Sequence, residues 1–477
     1  MVADKRIGVV GFGYIGSVIG AVLANRGARV IGVEPSPRIR TLVAAGRAPA
    51  PEPGLEELVN AAVVAGRLEI TDDPSVLSDV DVVLITVGTP LAEDGSADTS
   101  QLTGAVETIA PHLRDGQLIL LKSTVPPGLT EKLAPILRGH ANTLVAFSPE
   151  RLAEGRAIAE FQTIPVVVGG VDPESTRAGV EFWRGALDVD VIQVSSATGA
   201  ELVKLADNLW IDLNIALGNE LAQICDRLGG IDVLEVISAA NSLPKVQHHV
   251  NILTPSIGVG GYCLTKDPWF VHSMGKSLGL DLQTPRVSRE VNDAMAEYSA
   301  ASIDGVIGGA EASPRLAILG VAFKTDTGDV RYTPTLPVMK QLLDRGYHLV
   351  AFDPFVDREE LGEFGIDWAD SAEEALSGAD AVAFFTGHRQ FADLTPEWLR
   401  SKTWGHVAFV TRGWVDEFDS PGHRRGRIHR QSSCRSAART RGHGAGLRPG
   451  RRREEPQPRS GPRPSAVPLH TARYPRS

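Results

Sequence analysis

The run Gly258-Val259-Gly260-Gly261-Tyr262-Cys263-Leu264-Thr265-Lys266-Asp267 sets a thiol, an ammonium group and a carboxylate within five positions. Each has a use in nucleophilic chemistry. A cysteine thiolate is a good nucleophile near neutral pH, a neighbouring ammonium favours the thiolate, and a carboxylate four residues on orients or activates a water. The three glycines just upstream let the backbone pass close to a ligand with no Cβ in the way. A lone cysteine in a loop is also compatible with an inert buried thiol, since free cysteine packs as a small hydrophobe.

A second set of residues stands at the amino end. Gly11-Phe12-Gly13-Tyr14-Ile15-Gly16 follows a short apolar run at 6–10 and opens an alanine-rich helical pattern over 15–25 that stops at Gly27. A second strand over 29–33 then ends on Glu34. Strand, Gly-x-Gly-x-x-Gly, helix, strand and acid is the order of a dinucleotide site. The glycines permit a tight turn and bring a pyrophosphate onto the helix amino terminus. Glu34 is placed to accept from the adenosine ribose and disfavours a 2′-phosphate, so NAD is expected rather than NADP.

Three further runs lie just past apolar strands at 81–86, 117–121 and 144–147: Val87-Gly88-Thr89-Pro90, Lys122-Ser123-Thr124-Val125-Pro126-Pro127-Gly128, and Ser148-Pro149-Glu150-Arg151-Leu152-Ala153-Glu154-Gly155. In an open parallel sheet, that edge is where ligands bind. Each run taken alone also reads as a strand-to-helix turn with a hydroxyl cap, and the last as a solvated acidic turn. A long helical pattern over 197–228 puts Glu201, Lys204 and Asn208 on one face. With Leu202, Leu205, Leu209 and Leu213 on an adjacent face, that polar stripe either borders a buried cleft or is simply solvated.

The elements that must hold these residues alternate between strand and helix. A second helical region over 284–307 contains Arg289-Glu290-Val291-Asn292, and a second α/β unit starts near Pro314. Its strands are expected at 316–319, 348–352, 381–385 and 406–410, with Gly320–Lys324, Asp326, Asp329 and Arg331 on the first outgoing turn. The expected fold is α/β: two doubly wound Rossmann-like domains, 1–195 and 311–415, joined by a central long-helix domain over 196–310 that packs subunits or domains. Residues 416–477 read as a disordered basic tail.

Composition bounds the rest. The chain has 477 residues, 43% of them hydrophobic, and three widely spaced cysteines that suggest no disulfide framework. The amino terminus runs into a strand with no signal peptide, and no apolar run approaches the roughly 18 residues of a spanning helix, so a cytoplasmic protein without membrane contact is expected. Residues 421–477 hold 15 arginines, no lysine and two glutamates, a net +13, which leaves −23 on residues 1–420. An acidic body of that kind is a poor partner for nucleic acid. The arginine-only tail reads as disordered, with nucleic-acid binding as its sharper alternative; a shifted reading frame would also produce it.

The ordered motifs at Gly11–Gly16, Val87–Pro90, Ser123–Gly128, Ser148–Gly155, Glu201–Asn208 and Gly258–Asp267 resemble the UDP-glucose/GDP-mannose dehydrogenase family over about residues 5–410. The resemblance implies a four-electron oxidation of a sugar C6 alcohol to a carboxylate with two NAD. It implies catalytic roles for Cys263, Lys204, Asn208, Asp267, Thr124 and Glu150. Gly11, Gly13, Tyr14, Ile15, Gly16, Glu34, Arg38, Thr89, Thr124, Glu154, Lys266 and Arg331 would surround NAD. Glu150, Arg151, Leu152, Lys204, Asn208, Asn251, Gly260, Tyr262 and Lys324 would face a UDP-sugar, in a homodimer or larger homo-oligomer. Asn251-Ile252-Leu253-Thr254-Pro255, Pro149-Glu150-Arg151 and Asp267-Pro268-Trp269-Phe270 look more like the UDP-N-acetylhexosamine branch than the UDP-glucose branch. A nucleotide-sugar sensor without turnover and a two-electron hydroxyacid dehydrogenase are the competing classes; neither needs the cysteine.

Overall fold

The computed structural model describes residues 2–417 apart from 93–94, 246–247, 308–312, 362–363, 395–398, 400–405 and 412–413. Eight strands form the first sheet: β1 (Arg6–Val10), β2 (Arg29–Val33), β3 (Leu68–Thr71), β4 (Val82–Ile85), β5 (Leu118–Leu121), β6 (Leu144–Phe147), β7 (Val166–Gly170) and β8 (Val191–Gln193). Their order is β3-β2-β1-β4-β5-β6-β7-β8. Pairing is parallel throughout except between β6 and β7. Strands β4, β5 and β7 are buried at every position, as apolar strands covered on both faces must be. One core, around Phe12, Ile19 and Trp183, fills one side, and a second, around Leu77, Ile109 and Phe147, fills the other. The strand order reverses between β1 and β4, which opens a crevice at their carboxyl ends.

From β8 the chain enters the long helix Ala197–Leu228, 32 residues, capped by the Ser196 side chain on the Gly199 N–H. A two-residue antiparallel hairpin, β9 (Pro244–Lys245) with β10 (His248–His249), follows farther on. The helix Tyr262–Ser277, called here the cysteine helix, and the return helix Gln283–Ile307 then pack against the long helix. Six strands form the second sheet: β11 (Arg315–Leu319), β12 (His348–Phe352), β13 (Asp367–Trp368), β14 (Ala381–Phe384), β15 (His406–Thr411) and β16 (Trp414–Glu417), in the order β13-β12-β11-β14-β15-β16. All pairs are parallel except β15 with β16.

The α/β class with two doubly wound sheets joined by long helices therefore stands. Two expectations are corrected. The tail is expected from 416, but Asp416 and Glu417 lie in β16, paired in register with Phe409 and Ala408 of β15; the remaining tail, with its arginines, lies outside the described residues. Cys263, Lys266 and Asp267 stand not on a glycine-led loop but in the first two turns of a helix. Gly261, in the left-handed region at φ 86°, makes the turn that starts it, and the Thr265 hydroxyl donates to the Gly261 carbonyl at 2.8 Å.

Candidate active site

At the mouth of the first crevice, Gly11 adopts φ 83°, which a side chain would strain, and a Cβ on Gly16 would lie 2.1 Å from the Gly11 carbonyl oxygen. Those two glycines set the turn and its contact with the helix Tyr14–Asn25. Gly13 differs: nothing lies within 4 Å of its Cβ direction. Gly13 caps that helix without a side-chain bond, so the first N–H groups, those of Tyr14, Ile15 and Gly16, have no acceptor within the helix. Glu34, at the end of β2, accepts from the N–H of Phe12 at 2.7 Å and of Ser36 at 2.9 Å. The Tyr14 hydroxyl donates to Glu52 at 2.6 Å, and burial together with Glu52 pushes that phenol far above its ordinary range. Glu52 also accepts from the N–H groups of Gly155 and Ala157, tying the glycine loop to the segment after β6. Arg38 lines a cavity beside this end with Arg47, Pro49 and Glu52. These features fit a dinucleotide, with room for its phosphates over Gly13.

The carboxyl ends of β1, β4, β5 and β6 lie side by side, so the motifs that follow them share one edge. Thr89 donates its hydroxyl to the Thr124 carbonyl at 2.5 Å. Lys122 is buried; its ammonium donates to the Ser148 carbonyl at 2.9 Å and lies 4.8 Å from the Trp183 ring. Burial pulls Lys122 down to about 8, against the attraction of Glu150 and with the help of Lys204. The Leu152 N–H bonds back to Glu150, which fixes the turn. Arg151 turns to Asp207 at 2.8 Å.

The polar stripe of the long helix is not solvated. Glu201, Lys204 and Asn208 are only 0%, 5% and 7% exposed, and the stripe continues through Asp212 and Asn219, both 0%. Each member meets a different element. Glu201 accepts from the N–H groups of Gly128 and Thr130 and so caps the helix Leu129–Leu137. Lys204 reaches Glu150 at 3.6 Å, and Asn208 donates to Asp267 at 2.5 Å. Burial opposes the Lys204 charge, but Glu150, Cys263, Asp267 and Asp207 together hold its ammonium above the usual lysine range.

Asp267 also pairs with Lys266 at 2.6 Å, and the Lys266 ammonium sits 4.3 Å from the Phe270 ring and 5.2 Å from that of Tyr262. Cys263 is a free thiol open to solvent at the cleft. A thiolate favoured at rest was expected from the adjacent lysine, and that is corrected. The protein packed around the sulfur pushes the thiol up; Lys204 opposes this, while Asp267 and Glu150 add to it and Lys266 acts only weakly. Lys266 spends its charge on Asp267. The upstream glycines also serve another purpose than ligand approach. A Cβ on Gly260 would lie 2.4 Å from Phe323 Cβ, one on Gly261 2.8 Å from the Phe323 ring, and one on Gly258 2.8 Å from Pro334 Cβ. They let the segment dock on the turn after β11.

That turn carries Lys324, which donates to the Glu154 carbonyl, and Arg331, which pairs with Asp329 at 2.5 Å and with Glu154 at 3.5 Å. Burial and the nearby Asp329 push the Glu154 carboxyl up to about 7, against Arg331 and Lys324. Asn251 is exposed, its carbonyl accepting from Asn214 of the long helix rather than from the cysteine cluster. The structure thus gathers Cys263, Lys204, Glu150, Asn208, Asp267 and Lys266 into one cluster and Glu154, Lys324, Asp329 and Arg331 into another. Lys122, Asp212 and Asn219 escaped the sequence reading. The last two continue the three-and-four spacing already visible at Glu201, Lys204 and Asn208. Lys122 carried no signal beyond its place after a strand.

Residues 5–186 match the NAD binding domain of the UDP-glucose/GDP-mannose dehydrogenase family, 198–294 its central domain, and 317–417 its UDP binding domain. The chain is 34% identical to a UDP-N-acetyl-D-mannosamine dehydrogenase of Methanococcus maripaludis over 396 residues, 82% of this chain and 88% of that one. It is 34% identical to an NDP-N-acetyl-D-galactosaminuronic acid dehydrogenase of Ralstonia nicotianae over 425 residues, 86% and 96% of the two chains. A solved UDP-glucose dehydrogenase from Pyrobaculum islandicum superposes with a TM-score of 0.78 at 30% identity, covering 87% of this chain and 95% of that one. The corresponding values for a UDP-D-ManNAc dehydrogenase from Pyrococcus horikoshii are 0.77, 30%, 86% and 99%. With three family domains in order along a fold of the same shape, this chain belongs to the UDP-glucose/GDP-mannose dehydrogenase family of NAD-dependent oxidoreductases.

Proposed function

We propose that the protein oxidises the C6 hydroxymethyl group of UDP-N-acetylmannosamine to the carboxylate, a four-electron change, through a covalent intermediate on Cys263. The observation that carries this reading is the meeting of one thiol with the Lys204–Glu150 and Asn208–Asp267–Lys266 pairs at the carboxyl edge of a dinucleotide-binding sheet. NAD, when bound, accepts a hydride in each of the two half-reactions. The N–H groups of Tyr14, Ile15 and Gly16 would hold its pyrophosphate, and Glu34 its ribose. Arg38, Thr89, Thr124, Glu154, Lys266 and Arg331 complete the surround.

The chain's own residues do the rest. The C6 alcohol first loses a hydride from carbon and its hydroxyl proton to water, leaving an aldehyde. The Cys263 sulfur then adds to the aldehyde carbon while the thiol proton passes to the carbonyl oxygen, giving a thiohemiacetal. Loss of a hydride and of the hydroxyl proton leaves a thioester. Water then adds, the carbon–sulfur bond breaks, and the sulfur regains a proton as the carboxylate leaves. Glu150, with Thr124 and Asp267, positions and deprotonates that water. Lys204 and Asn208 stabilise the oxyanions, the ammonium being held charged by Glu150. Arg151, Leu152, Asn251, Gly260, Tyr262 and Lys324 shape the nucleotide-sugar side.

The N-acetyl sugar is favoured by the relatives at 34% identity, which act on N-acetylated sugars by name, and by the runs at 149–151 and 251–255. UDP-glucose is the second reading, supported by the Pyrobaculum structure. A panel of UDP-sugars assayed for NADH production tests both. A kcat/KM for UDP-N-acetylmannosamine or its gluco epimer about a hundredfold above that for UDP-glucose is expected if a buried polar group goes unpaired with the wrong sugar. Equal or better kinetics with UDP-glucose would overturn the N-acetyl assignment, and no NADH from any sugar would leave a sensor.

A further inference from the structure

Behind the cysteine helix lies a polar cluster that no step above uses. Arg289 of the return helix, 2% exposed, pairs with Asp212 of the long helix, 0% exposed, at 2.7 Å. Asn292 donates to the Asp212 carbonyl at 2.9 Å and to its carboxylate at 2.8 Å. Asn219 donates to Asn292 at 2.9 Å, and its own side-chain oxygen accepts from the Ser256 N–H at 2.7 Å. The far end of the cluster touches the nucleophile's neighbour: Arg289 Nη1 donates to the Leu264 carbonyl at 3.4 Å. That carbonyl has need of a donor. In an unbroken helix it would accept from the N–H of residue 268, but residue 268 is proline and has none.

We propose that Arg289 and Asn219 are positioning residues that clamp the two ends of segment 256–264 and so fix the Cys263 sulfur; the inference rests on Cys263 being the nucleophile. A buried ion pair is a poor device for stability, since apolar residues of similar volume often serve as well or better. Its use here is direction. The guanidinium is anchored by Asp212 on one helix and spends a remaining N–H on the one carbonyl that Pro268 leaves open. At the other end, Asn219 of the long helix holds the Ser256 backbone N–H. Between the two clamps, Gly258, Gly260 and Gly261 bend the chain against Phe323 and Pro334.

The full-length protein carrying Arg289→Ala, and separately Asn219→Ala, provides the test. Four quantities are read: NAD affinity, KM for the UDP-sugar, kcat, and the rate at which iodoacetamide alkylates Cys263 without substrate or cofactor. Both variants are expected to bind NAD as the parent does, to lose about tenfold to a hundredfold in kcat, and to change the alkylation rate in the same order. Guanidinium ion at millimolar concentration restores part of kcat to Arg289→Ala and nothing to Asn219→Ala. Parent kcat and parent alkylation in a folded Arg289→Ala protein would overturn the proposal, as would a kcat loss that tracks only the loss of folded protein. Where Arg289→Ala fails to fold, Asn219→Ala decides by the same two readouts. Cys263→Ala separates the two claims. If it still yields two NADH per sugar at the parent rate, the nucleophile assignment fails; if it is inactive while both clamp variants run at the parent rate, the clamp alone fails.

Discussion

Single residues in this site are defined by what surrounds them more than by their type. Lys204 and Lys266 are both buried beside carboxylates, yet they divide the work: Lys204 faces Glu150 and acts on the cysteine, while Lys266 is committed to Asp267. Replacing Glu150 by Gln removes the main support of the Lys204 charge and the base proposed for the hydrolytic water. A fall in kcat of about a hundredfold or more, with NAD affinity unchanged, is expected and is read by steady-state kinetics beside cofactor titration. Glu154 gives a prediction for pH. Its carboxyl, pushed up to about 7 by burial and Asp329, is neutral below that value in the folded protein. A raised carboxyl contributes stability that is fully present below the ordinary carboxylate range and is lost as pH rises through 7. The melting temperature of Glu154→Gln, taken relative to the parent, therefore rises between pH 5 and pH 8. A difference that stays flat across that window would show that Glu154 ionises as an ordinary surface acid.

Elements turn these residues into a site, and here the sequence was most readable. Glycine spacing, the acid at 34 and apolar runs of strand length put β1, β2 and the intervening helix within a residue or so of their observed limits. What stayed hidden was three-dimensional. Glu201 shares the face of Lys204 and Asn208, yet it caps the helix Leu129–Leu137, and nothing in its spacing could tell a cap from a catalytic acid. The glycines before Cys263 are needed for contact with Phe323 and Pro334, residues more than sixty positions away. The first glycine loop allows an internal control. Gly13→Ala meets no atom and should leave the melting temperature unchanged while weakening NAD binding about tenfold, close to 1.4 kcal/mol. Gly16→Ala places its Cβ against the Gly11 carbonyl and should lower both. A Gly13→Ala protein with parent NAD affinity would remove the pyrophosphate from that spot.

On the scale of the whole molecule, the long helix has two faces with opposite duties. Its buried polar stripe serves the site, while Leu202, Trp210, Leu213, Leu217, Ile224 and Leu228, each at least 41% exposed, form an apolar stripe on another side. We propose that a second copy of the chain covers it. Leu217→Glu is expected to convert a dimer or larger assembly into monomer in light scattering, and a monomeric parent would refute this. Among the described residues no helix is long and apolar enough to cross a membrane. Removing residues 418–477, which lack the apolar content to build a core, should leave the melting temperature and kcat within error of the parent. The most direct test of the account counts NADH released per UDP-sugar consumed, in the parent and in Cys263→Ala. Four-electron oxidation through a thioester predicts two from the parent and no completed second oxidation from the variant, with NAD affinity intact in both. One NADH per sugar from the parent, or two from Cys263→Ala at the parent rate, would contradict it.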